Sequence, residues 1–194
     1  MSEKKPYNPL EKGNLADSIV RAILESPVYP LSDTSEVIGA GVYIIYYAGD
    51  FVPYSVISEK NSNGSFSQPI YIGKAIPKGG RKGGISEEVS VKGKVLKERL
   101  SQHYASIYEA HNLDAADFFY RYLNVDDIWI PLGENMLIEQ FKPVWNRALD
   151  GFGNKDPGNR RKTQYRSPWD VLHPGRKFAE KLAAHPRTAQ RARS

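Results

Sequence analysis

Two short stretches decide how this chain folds: Gly41-Val42-Tyr43, which opens GVYIIYY (41–47), and Tyr71-Ile72-Gly73, within PIYIGKA (69–75). Both are runs of β-branched and aromatic residues, which are typical of buried strands. A glycine beside a tyrosine in a strand is most often a bend next to a core aromatic, so neither stretch alone indicates a function. Their significance depends on the polar residues that follow them along the chain.

Hydrophobic periodicity predicts the elements around these two stretches. Strands are predicted over 41–47, 69–74 and 117–125. Helices are predicted over 14–26, 94–111, 133–141 and 175–184. Polar and glycine-rich composition predicts loops over 48–68 and 76–94. The pattern therefore predicts an α+β fold, with a small, mostly antiparallel sheet of three strands flanked by helices.

The length of 194 residues favours one compact domain with extensions. We expect an N-terminal helical extension over 1–40, a central domain over 41–146 and a C-terminal extension over 147–194. No apolar run is long enough to cross a membrane, and the start lacks the apolar region of a secretory signal. The absence of cysteine excludes disulfides and thiolate zinc sites and fits a cytoplasmic setting.

Charge is unevenly distributed along the chain. Residues 147–194 contain 12 Lys and Arg against 4 Asp and Glu, a net charge of +8. Residues 1–146 contain 15 basic and 18 acidic residues, a net charge of −3. A basic extension on a mildly acidic body is typical of a protein with a polyanionic partner, but a solvated tail has the same composition. Charge alone leaves both interpretations open.

Several polar residues are placed so that they can meet. Arg99 and His103 are four residues apart on a predicted helix and therefore share a face. Tyr43 and Tyr71 lie on two strands that a hairpin would pair. The alternative for each pair is structural: a solvated surface Arg and His, and two core tyrosines. Further along the chain, Glu134 and Glu139 both lie on the helix preceding Phe141-Lys142-Pro143-Val144-Trp145-Asn146, and spacing alone does not separate them.

The order G-x-Y, Y-I-G, R-x-x-x-H, E and N, spread over residues 41–146, resembles the GIY-YIG nuclease superfamily. In that superfamily the metal-binding carboxylate precedes the Asn of the P-x-[aromatic]-N string by twelve positions, which selects Glu134 over Glu139. The connection between Gly73 and Arg99 is longer than in the minimal domain, so its path is left open. The resemblance implies hydrolysis of a phosphodiester bond.

The resemblance also implies a role for each residue. Glu134 would hold one Mg²⁺, for which Mn²⁺ can substitute, because hard cations prefer oxygen ligands. Tyr43 would be the general base, helped by His103, and Tyr71 would position water or phosphate. Arg99 would bind the phosphate. Lys74 would lower the pKa of the phenols, and Asn146 would orient Glu134 or brace the site.

Two C-terminal strings, 150–154 (DGFGN) and 167–176 (SPWDVLHPGR), resemble the GIY-YIG type II restriction endonucleases that recognise CCGCGG. This resemblance implies double-stranded DNA as substrate, a homodimer on a palindromic site and a companion DNA methyltransferase. The candidates for DNA contacts are basic residues near the site, in the glycine-rich loop and in the extension: Lys74, Lys78, Arg81, Lys82, Arg160, Arg161, Lys162 and Arg166. Two alternatives remain: a repair or structure-selective GIY-YIG endonuclease, and a non-catalytic DNA-binding module.

Overall fold

The computed structural model describes residues 11–77, 93–156 and 164–184. Within these residues a fully antiparallel sheet has four strands in the order β1-β4-β2-β3. The strands are β1 (Tyr29–Pro30), β2 (Gly41–Tyr47), β3 (Pro69–Ala75) and β4 (Phe118–Asn124). Because β2 has a neighbour on each side and helices on both faces, all seven of its residues are buried.

Helices occupy both faces of this sheet. Those in the described residues are α1 (Lys12–Glu25), α2 (Ser55–Asn61), α3 (Val95–Glu109), α4 (Ile130–Phe141), α5 (Val144–Arg147), α6 (Pro168–Leu172) and α7 (Lys177–Glu180). Short 3₁₀ turns cover Val52–Tyr54, Ser62–Gly64 and Ala115–Asp117. The three predicted strands and the predicted helices before β1 and after β3 are confirmed, with ends that differ by one or two residues. None of the described helices has the length and apolar character needed to span a membrane.

The predicted count of three strands is wrong, because a fourth strand, β1, pairs with β4 at the sheet edge. It has only two residues, one of them a proline, so it carries no alternating pattern that could be recognised. The predicted loop over 48–68 contains α2, which is only seven residues long. Its last residue, Asn61, is buried and donates to the carbonyls of Tyr47 and Gln68, which secures the connection against the sheet.

Two other boundaries differ from the prediction. The helix predicted over 133–141 begins earlier, at Ile130, with Pro131 in its first turn, where a missing N–H costs nothing. The helix predicted over 175–184 is a single turn, Lys177–Glu180. Much of the predicted loop over 76–94 lies outside the described residues.

Alternation along β2 builds two separate cores. Tyr43, Ile45 and Tyr47 face α3 and the C-terminal segment, here residues 148–156 and 164–184, in a cluster that includes Leu100, Ile107, Trp145, Phe152 and Trp169. Val42, Ile44 and Tyr46 face α1 and α4, in a second cluster that includes Ile23, Ile72, Ile130 and Leu137. The molecule therefore has a sheet between two helical layers, and residues 152 and 169 pack into the same core as Tyr43.

The glycines of the two opening stretches allow close approach within the sheet. A Cβ atom at Gly41 would lie 2.0 Å from the carbonyl oxygen of Leu123 on β4. A Cβ atom at Gly73 would lie 2.3 Å from the hydroxyl of Tyr43, which is directly opposite it in the β2–β3 register. Gly73 therefore leaves room for the Tyr43 ring, and any larger residue would displace that ring.

His173 connects the C-terminal segment to Tyr54, which directly precedes α2. Trp145 Nε1 donates to the Tyr54 hydroxyl at 2.8 Å, and that hydroxyl lies 2.5 Å from His173 Nε2. His173 has no exposed surface, and burial lowers its pKa to about 4. Its imidazole is therefore neutral in the folded protein at neutral pH.

We predict that His173 makes the protein sensitive to acid. Below pH 6.5 the unfolded chain takes up a proton at this position and the folded chain does not, so stability falls by about 1.4 kcal/mol per pH unit until about pH 4. Urea unfolding between pH 7 and pH 4 tests this by comparing the wild type with His173→Gln, which cannot titrate. The variant should show a shallower decline, and equal declines would contradict the assignment.

Candidate active site

Tyr43 and His103 form the centre of a buried polar cluster on the α3 face of the sheet. The Tyr43 hydroxyl lies 2.7 Å from His103 Nε2, and both residues are almost completely buried. His103 belongs to the buried stripe of α3, together with Leu96, Leu100 and Ile107, at helical spacing. The hydrophobic pattern that packs α3 on the sheet thus also brings the imidazole to the phenol.

Arg99 and Tyr71 complete the cluster. Arg99 lies one turn before His103 on α3, is partly buried and donates from Nη2 to the carbonyl oxygen of Gly153 at 3.1 Å. The ring of Tyr71 is 6.3 Å from that of Tyr43 and meets the His103 ring edge-on at 5.1 Å. The Arg99 guanidinium interacts with both phenols, so the sequence pattern R-x-x-x-H and the two strand tyrosines do converge.

Burial sets the protonation states of the cluster. Desolvation raises the pKa of Tyr43 well above its ordinary value, Tyr71 adds to the rise, and Arg99 opposes it. Desolvation likewise raises the pKa of Tyr71. The pKa of His103 is held well below its ordinary value by burial and by the positive charges of Arg99, Arg176 and Lys155. At neutral pH a neutral phenol therefore faces a neutral imidazole, which can accept its proton at Nε2.

Glu134 reaches the site from α4, on the other helical layer. Its Oε2 atom lies 2.5 Å from Lys74 Nζ, and its side chain is 15% exposed. The charge of Glu134 raises the pKa of Tyr43 and that of Tyr71, so it acts on the same cluster. The competing carboxylate, Glu139, is 67% exposed and pairs with Arg147 on the surface.

Lys74 and Asn146 make contacts that refine their predicted roles. Lys74 was expected to lower the pKa of the phenols, but it pairs with Glu134, and Arg99 is the cation that acts on Tyr43. Asn146 accepts from the backbone N–H of Ile72 through Oδ1 and donates to its carbonyl through Nδ2, both at 2.8 Å. Since β3 is an edge strand, this amide replaces the missing neighbour, and of the two expected roles its contacts match bracing.

The donor set around Glu134 is compatible with a hard cation. The described residues contain no group of three or more His, Asp or Glu arranged to hold a metal ion. Glu134 is a single, partly accessible carboxylate. Mg²⁺ typically binds one or two carboxylates and keeps several waters or substrate phosphate oxygens, so a single, partly accessible carboxylate fits this ion.

Most predicted DNA contacts fall beyond the described part of the chain. Six candidates lie there: Lys78, Arg81, Lys82, Arg160, Arg161 and Lys162. Of the other two, Lys74 pairs with Glu134. The guanidinium of Arg166 donates to the carbonyls of Ala179 and Glu180 at 3.1 and 3.2 Å, which ties it to α7.

Sequence reasoning missed the residues that cover the cluster. Phe152 stacks on the His103 ring at 4.5 Å with an interplanar angle of 18°. The carbonyl of Gly153 accepts from Arg99, and the carbonyl of Phe152 accepts from Arg176. With α3 they line a cavity of about 320 Å³ beside Arg99. The string 150–154 was recognised only by family resemblance, because no local pattern shows that a loop fifty residues after Arg99 packs against it.

Comparison with known protein families assigns the chain to one of them. Residues 35–194 match the family described as the Eco29kI GIY-YIG domain, a restriction endonuclease family. The matched range covers most of the chain and includes every residue of the cluster described above. No curated protein matches the chain. By this match and by its fold, the chain belongs to the Eco29kI GIY-YIG domain family of nucleases.

Proposed function

We propose that this protein is a type II restriction endonuclease that hydrolyses double-stranded DNA at a specific palindromic, G·C-rich site, CCGCGG. The family is that of a restriction-type GIY-YIG nuclease, which makes DNA the substrate. The observation that carries the catalytic part of the proposal is the buried bond between Tyr43 and His103, in contact with Arg99 and within the field of Glu134. A DNA-binding module without catalysis has no need for this combination.

Tyr43 acts as the general base in this proposal. As the attacking water bonds to phosphorus, its proton passes to the Tyr43 oxygen, and the phenol proton passes to His103 Nε2, 2.7 Å away. The phosphorus–O3′ bond breaks, which leaves a 5′-phosphate and a 3′-hydroxyl that takes its proton from solvent. A neutral phenol is too weak a base to keep the water proton, so its own proton has to pass to His103 Nε2 in the same step.

Arg99 and Tyr71 hold the phosphate. The planar guanidinium of Arg99 can donate to two phosphoryl oxygens and balances the charge that develops there. Tyr43 has no exposed surface, whereas Tyr71 and Arg99 beside it are partly exposed, and in this proposal water reaches the Tyr43 hydroxyl past these two residues. A phosphate that draws the guanidinium toward itself therefore both orders the substrate and opens the way to the base.

Glu134 holds the divalent cation. A bound Mg²⁺, or Mn²⁺ in its place, would stabilise the negative charge on the leaving O3′. Lys74 occupies the Glu134 carboxylate in the structure and has to share it when the ion binds. Asn146 binds the backbone of Ile72 on β3, and it thereby fixes the position of the neighbouring Tyr71 and Gly73.

Specificity for a palindrome favours a homodimer, because a two-fold protein matches a two-fold site. The candidates suited to guanine recognition in the major groove are Lys78, Arg81, Lys82, Arg160, Arg161 and Lys162, whereas the guanidinium of Arg166 is bound to α7. An enzyme of this kind works beside a methyltransferase that protects the host sites. These assignments rest on the family and on charge, since most of those residues lie outside the described chain.

Digestion of a long plasmid with Mg²⁺ tests the function. We expect discrete bands whose sequenced ends all lie within CCGCGG, and we expect the pattern to disappear after methylation of that site. A smear or nicks at branched structures would indicate a structure-selective nuclease instead. Intact plasmid under all metal conditions would indicate a binding module.

The role of Tyr43 predicts a large loss of rate in Tyr43→Phe. The single-turnover rate constant should fall about 10²-fold or more, because the base is lost while ring packing is retained. Tyr46→Phe is the matched control. Tyr46 lies on the same strand, is equally buried and faces the opposite core, and its hydroxyl has no partner among the described residues. A wild-type rate in Tyr43→Phe would refute the assignment.

The role of Glu134 predicts that Glu134→Gln abolishes cleavage and retains DNA binding. The amide keeps the size of the side chain and removes the charge that holds a cation. Glu139→Gln, on the exposed side of the same helix, should cleave normally. The two variants are compared by measuring cleavage as Mg²⁺ is titrated and by measuring DNA affinity in Ca²⁺. Equal activity of both variants would exclude Glu134 as the metal ligand.

A further inference from the structure

The strongest unassigned feature of the molecule is a buried arginine behind the active site. Arg176 is 1% exposed, although it carries a permanent charge. Its Nε donates to Asp170 Oδ1 at 2.6 Å, and its guanidinium lies over the ring of Trp169 at 4.5 Å. Burial of an ion pair gives little net stability compared with an apolar packing of the same volume, so the contacts of this arginine must be explained in another way.

The remaining donors of Arg176 all bind one short turn, Gly151–Asn154, here called the 151–154 turn. Nη2 donates to the carbonyl of Gly151 at 3.0 Å. Nη1 donates to the carbonyls of Phe152 and Asn154, at 3.0 and 3.3 Å. Three of the four carbonyls in the turn therefore point to Arg176.

The fourth carbonyl of the turn points the other way. Gly153 O accepts from Arg99 Nη2 at 3.1 Å. The neighbouring ring, Phe152, stacks on His103 at 4.5 Å and meets Tyr71 edge-on at 4.9 Å. A Cβ atom at Gly153 would lie 3.0 Å from the Tyr71 hydroxyl, so the turn already touches the cluster. Arg176 and the catalytic cluster are thus joined through one four-residue turn.

We infer that Arg176 is a positioning residue for the nuclease site: it holds the 151–154 turn so that Gly153 orients Arg99 and Phe152 orients His103. This inference rests on the proposed function for its effect on cleavage. The planar fork of an arginine can satisfy Asp170 and three carbonyls at the same time. A lysine carries the same charge from a single atom and cannot reach all four acceptors.

The charges around His103 agree with this arrangement. The groups that face the imidazole are Tyr43 and Tyr71 from the sheet, Arg99 from α3, and Lys155 and Arg176 from the C-terminal segment. Phe152 covers one side of the ring, and His103 is only 2% exposed. Loosening of the turn would expose the imidazole to solvent, and its pKa would move up toward the ordinary value because burial is its largest cause.

Arg176→Lys, compared with Asn112→Ala, tests the inference. Asn112 forms its hydrogen bonds with Leu172 and His173 of the same C-terminal segment and not with the 151–154 turn, so its loss tests the stability of that segment. In Arg176→Lys we expect the single-turnover rate to fall about 10²-fold with DNA affinity within about twofold, since misplaced catalytic groups lose rate rather than binding. Asn112→Ala should retain the rate.

NMR titration of His103 gives a second measurement that does not depend on cleavage. The pKa of His103 should rise in Arg176→Lys and stay unchanged in Asn112→Ala. A wild-type rate in Arg176→Lys would overturn the inference. So would equal losses of rate in both variants with an unchanged His103 titration, because only stability would then be affected.

Two outcomes need a further measurement: an Arg176→Lys variant that does not fold, and a wild type that does not cleave DNA. If Arg176→Lys does not fold, Gly153→Ala tests the same turn from the other side, since its methyl group would press on Tyr71 and Arg99 at 3.0 and 3.2 Å. It should lower the rate with unchanged DNA affinity, and a wild-type rate would overturn the inference. If the wild type cleaves no DNA, the proposed function fails, and the His103 titration alone decides whether Arg176 positions the cluster.

Discussion

The hydrogen bond between Tyr43 and His103 is the interaction on which the rest of the site depends. It joins β2 to α3 through two side chains that have almost no exposed surface. Burial raises one pKa and lowers the other, so both groups are uncharged at neutral pH and neither incurs the cost of a buried charge. The proposed mechanism moves the phenol proton along this hydrogen bond. Gly73 makes the arrangement possible, because any side chain there would occupy the space of the Tyr43 ring.

The two cations near this hydrogen bond, Arg99 and Lys74, bind residues that belong to the folded core or its helices. Arg99 donates to the carbonyl of Gly153, and Lys74 pairs with Glu134. The C-terminal segment supplies Gly153 and packs Phe152 and Trp169 into the core that contains Tyr43. The same contacts therefore stabilise the fold and position the side chains of the site, so a change in the 151–154 turn should affect both.

Much of this fold could be predicted, since its signals are local. β2 and β3 are continuous β-branched and aromatic runs, and α3 has a clear apolar stripe that includes His103. β1 and α2 could not be predicted, because two residues that include a proline and a helix of only seven residues, Ser55–Asn61, are too short to show a period. The choice of Glu134 over Glu139 came from family spacing, and the exposure of Glu139 and its pairing with Arg147 support it.

The sequence specifies the residue types of the site and their order along the chain: Tyr43, Tyr71, Arg99, His103, Glu134 and Asn146. It also determines which faces of β2 and α3 are apolar, because periodicity is a property of neighbouring residues. The contacts of each polar group depend on how the helices and strands pack together. Lys74 pairs with Glu134, Asn146 braces Ile72, and Arg176 holds the turn that meets Arg99. These contacts join residues 22 to 74 positions apart, and no local pattern specifies which distant partner a polar group will meet once the chain is packed.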